Sequence, residues 1–323
     1  MAKGKGVFSA RLSAGVIILG VIAIIIIAIY YYYYNYYPIR PFYPPPPTAG
    51  KLDKFGIKEI YLSKRGGEEW YLNTDNPQNG PRTGGEGPPT SFVQKNSDGS
   101  WKVQSSEVRY GVFTSSGYHP DLITTLNQQV LAAKGYMQSS NDWKNVEITG
   151  YFKVNSFTDS KQNGGPHIEL VARGGRSTND IGTIDGLSRQ CEATTYHSNS
   201  YVDGRIRFEK DLEHIIGYTT GDPEKQHSIT PLLGRWIGIK AVFYNLPNDK
   251  VRLEQWIDEN SNNNWHRVLK FTDNGNWGGG QPDCGGTDHT IITWGGPIAI
   301  FRWDNINDMD VIDLSVREIQ QPS

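Results

Sequence analysis

The sequence predicts an all-β domain, two antiparallel sheets packed face to face, behind an N-terminal transmembrane helix. Three observations predict it. Beyond residue 50 the apolar residues fall in short alternating runs, and stretches with a helical period are scarce. These runs follow one another closely, punctuated by Gly, Pro and Asn and without a strand-helix-strand pattern, as packed antiparallel sheets require. The chain opens with an uncharged aliphatic stretch that gives way to tyrosines and prolines.

In that opening stretch Lys3, Lys5 and Arg11 precede an uncharged run from Leu12 to Ile39, whose core Val16 to Ile29 is almost wholly aliphatic. About 20 such residues cross the hydrocarbon of a bilayer as a helix. No A-x-A-like cleavage site follows, so the segment reads as a retained anchor. The cations lie before the helix, which keeps the N-terminus cytoplasmic and sends the remainder of a single-pass protein outside the cell. Tyr30 to Tyr34, Tyr36 and Tyr37 suit an aromatic belt at the outer interface. Lys5-Gly6 before Val7 also resembles an archaeal prepilin-type processing site, which leaves open a pilin-like subunit assembling into a homo-oligomer or filament through this helix. Pro38, Pro41 and Pro44 to Pro47 form a stiff stalk. The division is 1–37 stub and anchor, 38–50 stalk, and 51–323 domain.

Within the domain, IKEIYL and EEWYL alternate as strands, followed by a Gly/Pro/Asn-rich loop from Asn73 to Pro89. SFVQK, WKVQS and VRYGVF add shorter strands. LITTLNQQVLAAKG, Leu122 to Gly135, has a helical period with Gly135 as its stop. From Asn145 the strand signal is dense: NVEITGYFKVNSF, HIELVAR, CEATTYHS, GRIRFEK, RWIGIKAVFYN, VRLEQWIDE, HRVLKFTD, IAIFRW and IDLSVREI. LPNDK, Leu246 to Lys250, reads as a hairpin turn. Ile237, Ile239, Ala241 and Phe243 share one face with Val251, Leu253 and Ile257 as core. The opposite face carries Lys240, Tyr244, Arg252, Glu254, Trp256 and Asp258, either a solvated surface or a functional one. Two cysteines, Cys191 and Cys284, lie far apart. Outside the cell they are expected to pair, and closing so long a loop contributes about 4–5 kcal/mol in the chain-entropy picture.

Charge and motifs remove several classes. With 32 Lys and Arg against 34 Asp and Glu, no basic field marks a nucleic-acid partner. Gly-x-Ser-x-Gly, His-Glu-x-x-His, CxxC and Walker patterns are missing, which argues against the common hydrolase, zinc-protease, redox and nucleotide classes.

The run WIGIKAVFYNLPNDKVRLEQWIDE resembles the hairpin of concanavalin A-like lectin/glucanase sandwiches, in which a W-x-x-x-K strand, a short turn and a strand ending in W/Y-x-D are adjacent. The likeness runs over residues 140 to 320 and implies a jelly roll. Polysaccharide lyases of this type line a concave sheet with Arg, His, Gln and Tyr. HIELVAR resembles the first such strand, with His167, Glu169 and Arg173 on one face by period two. The Gln-Ile-His strand of alginate-lyase-like proteins corresponds to Thr195-Tyr196-His197.

Three readings stay open. The leading one is a lectin-like or adhesive surface module for an extracellular polysaccharide or glycan, in which aromatic rings stack on sugars and polar groups bond hydroxyls. Candidate binding residues are His167, Glu169, Arg207, Glu209, Lys240, Trp256 and Trp303. The second is β-elimination from uronic-acid polymers. There Arg173 or Arg205 neutralises the carboxylate, His197 or His214 is the base, Tyr196 or Tyr218 the acid, and Lys210 supports either. Tyr196 and His197 must face opposite ways unless a bulge intervenes. The third is glucanase-like hydrolysis, since Glu209, Asp211 and Glu213 resemble a Glu-x-Asp-x-Glu signature; Lys210 would then face the core, where those enzymes carry an aliphatic residue. No reading requires a cofactor. Asp304, Asp308 and Asp310, in DNINDMD, are hard oxygen ligands suited to structural calcium or to a plain Asx-rich turn.

Overall fold

Alternation along the strands produces two sheets in the computed structural model, which describes residues 51–80, 82–84, 91–114, 139–161, 164–174, 194–212, 218–219, 227–278 and 289–322. All of these belong to the second of two units into which the chain divides, Pro45–Ser323. The strands are β1 (Glu69–Tyr71), β2 (Thr83–Gly84), β3 (Phe92–Lys95), β4 (Trp101–Val103), β5 (Glu107–Phe113), β6 (Val146–Phe157), β7 (His167–Gly174) and β8 (Thr195–Tyr201). They continue as β9 (Arg205–Asp211), β10 (Tyr218–Thr219), β11 (His227–Ser228), β12 (Trp236–Leu246), β13 (Lys250–Asp258), β14 (His266–Asp273), β15 (Ile298–Asp304) and β16 (Ile306–Glu318).

The first sheet runs β14-β13-β12-β6-β16-β4-β3, with β1 also on β16; the second runs β10-β9-β8-β7-β15-β5-β2, with β11 also on β9. Every strand pair is antiparallel. The β12–β13 turn is the expected one: Leu246 pairs with Lys250, and Asn248 and Asp249 adopt φ of 61° and 52°. Asn and Asp tolerate that left-handed region better than other side chains, which is why the turn falls there. Asn305, at φ 59°, carries the chain from β15 in the second sheet to β16 in the first.

Between the sheets lie the inward rows Ile148, Phe152, Val154, Ile237, Ile239, Phe243, Leu253, Val311 and Leu314 from one side, and Ile168, Leu170, Phe208, Phe301 and Trp303 from the other. Full burial of such side chains stabilises by about 1.5–3 kcal/mol each. A few polar groups share this interior. Gln255 donates to Ser200 Oγ at 2.6 Å, and Lys210 meets Asp273 at 2.9 Å.

IKEIYL is not a strand. Residues 51–63 cross the outer face of the first sheet as an irregular strap, held by isolated bridges Leu52 to Lys58 and Ser63 to Ile319. The amides of Ile60 and Tyr61 donate to the carboxylate of Glu147, at 3.0 and 3.3 Å, in place of ladder partners. Glu147 also takes Lys240 Nζ at 2.6 Å and Arg317 at 2.9 Å. Burial works against its charge, but Arg317 and Lys240 outweigh burial and hold Glu147 below its ordinary value. Lys240 and Trp256, expected to bind substrate, are thus corrected: both are buried beneath the strap, with Ile57, Ile60, Tyr61, Tyr244 and Trp265 around them.

Among the described residues no helix is long and apolar enough to cross a membrane. The expected anchor, stalk and Leu122–Gly135 helix, together with Cys191, Cys284, Glu213 and His214, fall outside the described residues.

Candidate functional site

Polar side chains are concentrated on the outer face of the second sheet, because β5, β7, β9 and β15 send mainly apolar residues inward. In β7, Ile168, Leu170 and Ala172 enter the core, leaving His167 and Glu169 outside. In β15, Phe301 and Trp303 enter it, leaving Arg302 and Asp304 outside. The pairing register then aligns Arg109, Arg302, Glu169, Asn199 and Arg207 in one row across β5, β15, β7, β8 and β9.

Glu169 is the centre of this face. Its Oε1 lies 2.6 Å from His167 Nε2, and its Oε2 lies 2.9 Å from His197 Nδ1 and 3.2 Å from Arg302. Asp304 takes Arg109 at 2.8 Å and Arg302 at 2.8 Å. On the far side Asn199 and Arg207 both donate to Glu209, at 3.0 and 3.2 Å. Tyr201 carries the Arg205 guanidinium 4.3 Å and the Arg207 guanidinium 5.2 Å from its ring centroid, with the His167 ring at 5.0 Å. Arg205 and Arg207 are the open part of the site, their side chains 41% and 30% exposed, whereas Glu169, Asn199 and His197 are buried.

Two features define the protonation. His167 Nδ1 lies 2.7 Å from the carbonyl of Gly165, and its Nε2 faces a carboxylate. A carbonyl and a carboxylate only accept, so both ring nitrogens donate and the ring is an imidazolium. Burial opposes that charge, but the hydrogen bond and charge of Glu169, with the Gly165 carbonyl, outweigh it and raise His167. Gly164 and Gly165, at φ 81° and 101°, form the turn that aims this carbonyl, a conformation L side chains rarely adopt. Burial likewise opposes the charge of Glu169, and Arg302, His197 and His167 outweigh it, holding the carboxyl well below its usual range.

A pH dependence follows. A raised folded value for His167 contributes stability that is complete below the unfolded histidine value of about 6.5 and disappears as pH rises through the folded value. The melting temperature of the wild type is therefore expected to fall as pH rises above about 6.5, and that fall is expected to be shallower in His167→Gln. Equal slopes in both proteins would contradict the imidazolium.

His167, Glu169 and Asp304 place ligand atoms within 4.8 Å of one another. Arg302 and Arg109 already neutralise those carboxylates, so the cluster suits a proton on His167 better than a divalent cation.

Of the residues expected from sequence, His167, Glu169, His197, Arg205, Arg207 and Glu209 share this face. Others do not. Arg173 has φ 79°, which breaks the alternation, and its guanidinium donates to Ile292 O at 2.8 Å and to Asn145. Burial pulls it down to about 10. Tyr196 and Lys210 point between the sheets, both onto Asp273 Oδ2 at 2.7 and 2.9 Å, and Trp303 is fully buried in the core. The proposed metal ligands do not form one set. Asp304 is paired with arginines on the second sheet, while Asp308 and Asp310 bond Lys102 and Asn155 on the first. Asn199, Arg109, Arg302 and Tyr201 were not singled out from sequence. The signal was present in the alternation of YHSNSY and IAIFRWDN, where His197 predicts Asn199 and Tyr201, and an inward Trp303 predicts an outward Arg302.

No family model matches the chain, and no curated protein matches it significantly. Solved structures do. The chain resembles lectin-like and polysaccharide-lyase sandwiches. A protein of unknown function with a galectin-like fold from Bacillus subtilis is 11% identical at a TM-score of 0.38, covering 81% of this chain and 100% of its own. Lectin I from Ulex europaeus, solved with the methyl glycoside of alpha-L-fucose, is 8% identical at 0.37, covering 77% and 96%. An alginate lyase variant solved with alginate trisaccharide is 12% identical at 0.32, covering 80% and 98%.

Proposed function

We propose that this chain is a carbohydrate-binding sandwich protein that engages an extracellular glycan on the outer face of its second sheet, carried outside the cell by the apolar helix read at Leu12 to Ile39. The observation that supports it is the row Arg302, Glu169, Asn199 and Arg207, which ends in the half-buried Arg207 guanidinium over Tyr201, with Arg205 on the same ring. Arg and Asn supply directional donors to sugar hydroxyls and carboxylates, and Tyr201 adds an aromatic edge. Binding of the purified full chain to a panel of neutral glucans and uronic-acid polymers tests it. Arg207→Ala is expected to weaken the best binder about tenfold, the equivalent of one lost hydrogen bond to a charged group. Unchanged affinity would remove this face from the site.

A second reading, polysaccharide lyase, would take His197 as the base: its Nδ1 lies 2.9 Å from Glu169, which orients the ring, and its Nε2 is buried, so substrate would have to displace part of the site to reach it. Elimination would give each uronate product a new double bond, read by ultraviolet absorbance. In that case His197→Ala abolishes product while Arg207→Ala chiefly weakens binding.

A further inference from the structure

Lys210 and Asp273 form an ion pair that the glycan reading does not use. Lys210 lies on β9 of the second sheet and Asp273 ends β14 of the first, so the pair spans the interior between the sheets. Both side chains are fully buried, with Nζ 2.9 Å from Oδ2. Nζ also donates to Thr290 O at 3.0 Å and sits 5.3 Å from the Trp277 ring centroid. Tyr196 stacks on Trp277 at an interplanar angle of 9°, and Phe271 meets the same indole edge-on.

The carboxylate is held in a particular way. Oδ1 accepts the Gly275 amide at 3.1 Å, and Oδ2 accepts the Tyr196 hydroxyl at 2.7 Å as well as Lys210. The tyrosine oxygen itself accepts the Ile292 amide at 3.1 Å, which fixes its proton toward Asp273. A second fully buried lysine pair among the described residues is built differently. Glu147 meets Lys240 but also Arg317 and two strap amides, so it is a fixed anion and a poor electrophile. Among the described residues Asp273 has Lys210 as its cation.

We propose that Lys210 and Asp273 become joined by an amide bond between the sheets, an internal cross-link formed with loss of water. Transfer of a proton from Nζ to Oδ2 across their 2.9 Å contact gives an amine and a carboxylic acid. The Nζ lone pair attacks Cγ, and the carbonyl electrons move to Oδ1, where the Gly275 amide stabilises the charge. Collapse expels Oδ2, which takes up a proton released by the nitrogen and leaves as water, assisted by the Tyr196 hydrogen bond. One C–N bond forms, one C–O bond breaks, and no oxidant or reductant is needed. Holding the groups together supplies an effective concentration on the order of 10⁵–10⁸ M for well-oriented intramolecular reactions. The product is neutral, so the desolvation cost of a buried ion pair is relieved.

Peptide mapping of the wild-type full chain, reduced and denatured before proteolysis, tests this without a variant that must fold. The expected result is a branched peptide containing both Lys210 and Asp273, lighter by one water than the sum of its two linear parts, with fragment ions locating the junction at those side chains. Recovery of the two segments only as separate linear peptides of full mass would overturn the proposal.

Discussion

Glu169→Ala is expected to destabilise the domain by about 3–5 kcal/mol, the loss associated with removing one partner of a buried charge pair. The substitution leaves His167, Arg302 and His197 around an empty space, and His167 loses the anion that keeps it charged. Denaturant unfolding measures the loss. The same variant is expected to weaken the proposed glycan binding even where it remains folded, because His197 and Arg302 then lose the carboxylate they share. A loss under about 1 kcal/mol, the range of an exposed ion pair, would show that the cluster does not act as a unit.

Glu147→Ala is expected to have a comparable effect on stability, again about 3–5 kcal/mol, on the opposite side of the molecule. Lys240 and Arg317 lose the carboxylate between them, and the amides of Ile60 and Tyr61 lose their acceptor. The distinguishing readout is hydrogen exchange. Amides of residues 51–63 are expected to lose protection before those of β12 and β13 in this variant, whereas in Glu169→Ala the strap keeps its wild-type pattern. Simultaneous loss everywhere would mean that strap and sheet open together.

The strands were legible because each follows a period-two pattern, and the LPNDK turn because Asn and Asp suit its left-handed residues. Which strands become neighbours was not, since pairing is decided by contacts between segments remote in sequence. This explains the particular misses. Lys240 and Trp256 occupy an outward face, as alternation requires, but the strap that buries them comes from residues almost two hundred positions earlier. Ile57 to Leu62 alternates like a strand and is not one, because Glu147 competes for its amides. Arg173 follows the period of His167 and Glu169 in sequence but leaves it in space, since its positive φ re-aims the side chain. Trp303 reads in sequence as a ring for stacking on sugars, whereas in the fold the core takes that ring and the site takes Arg302 beside it.

The strap has a mechanical consequence. Its end is stitched to the last strand: Ser63 bridges Ile319, Lys64 pairs with Glu318 at 2.6 Å, and Gln320 donates its amide to Leu62 O. A pull arriving along the chain at Lys51 therefore loads β16 and its neighbour β6 through side-chain anchors and short bridges, all on the first sheet. The second sheet joins that path only through the Asn305 link between β16 and β15, at the end of β16 remote from the strap, so the row from Arg109 to Arg207 is loaded last.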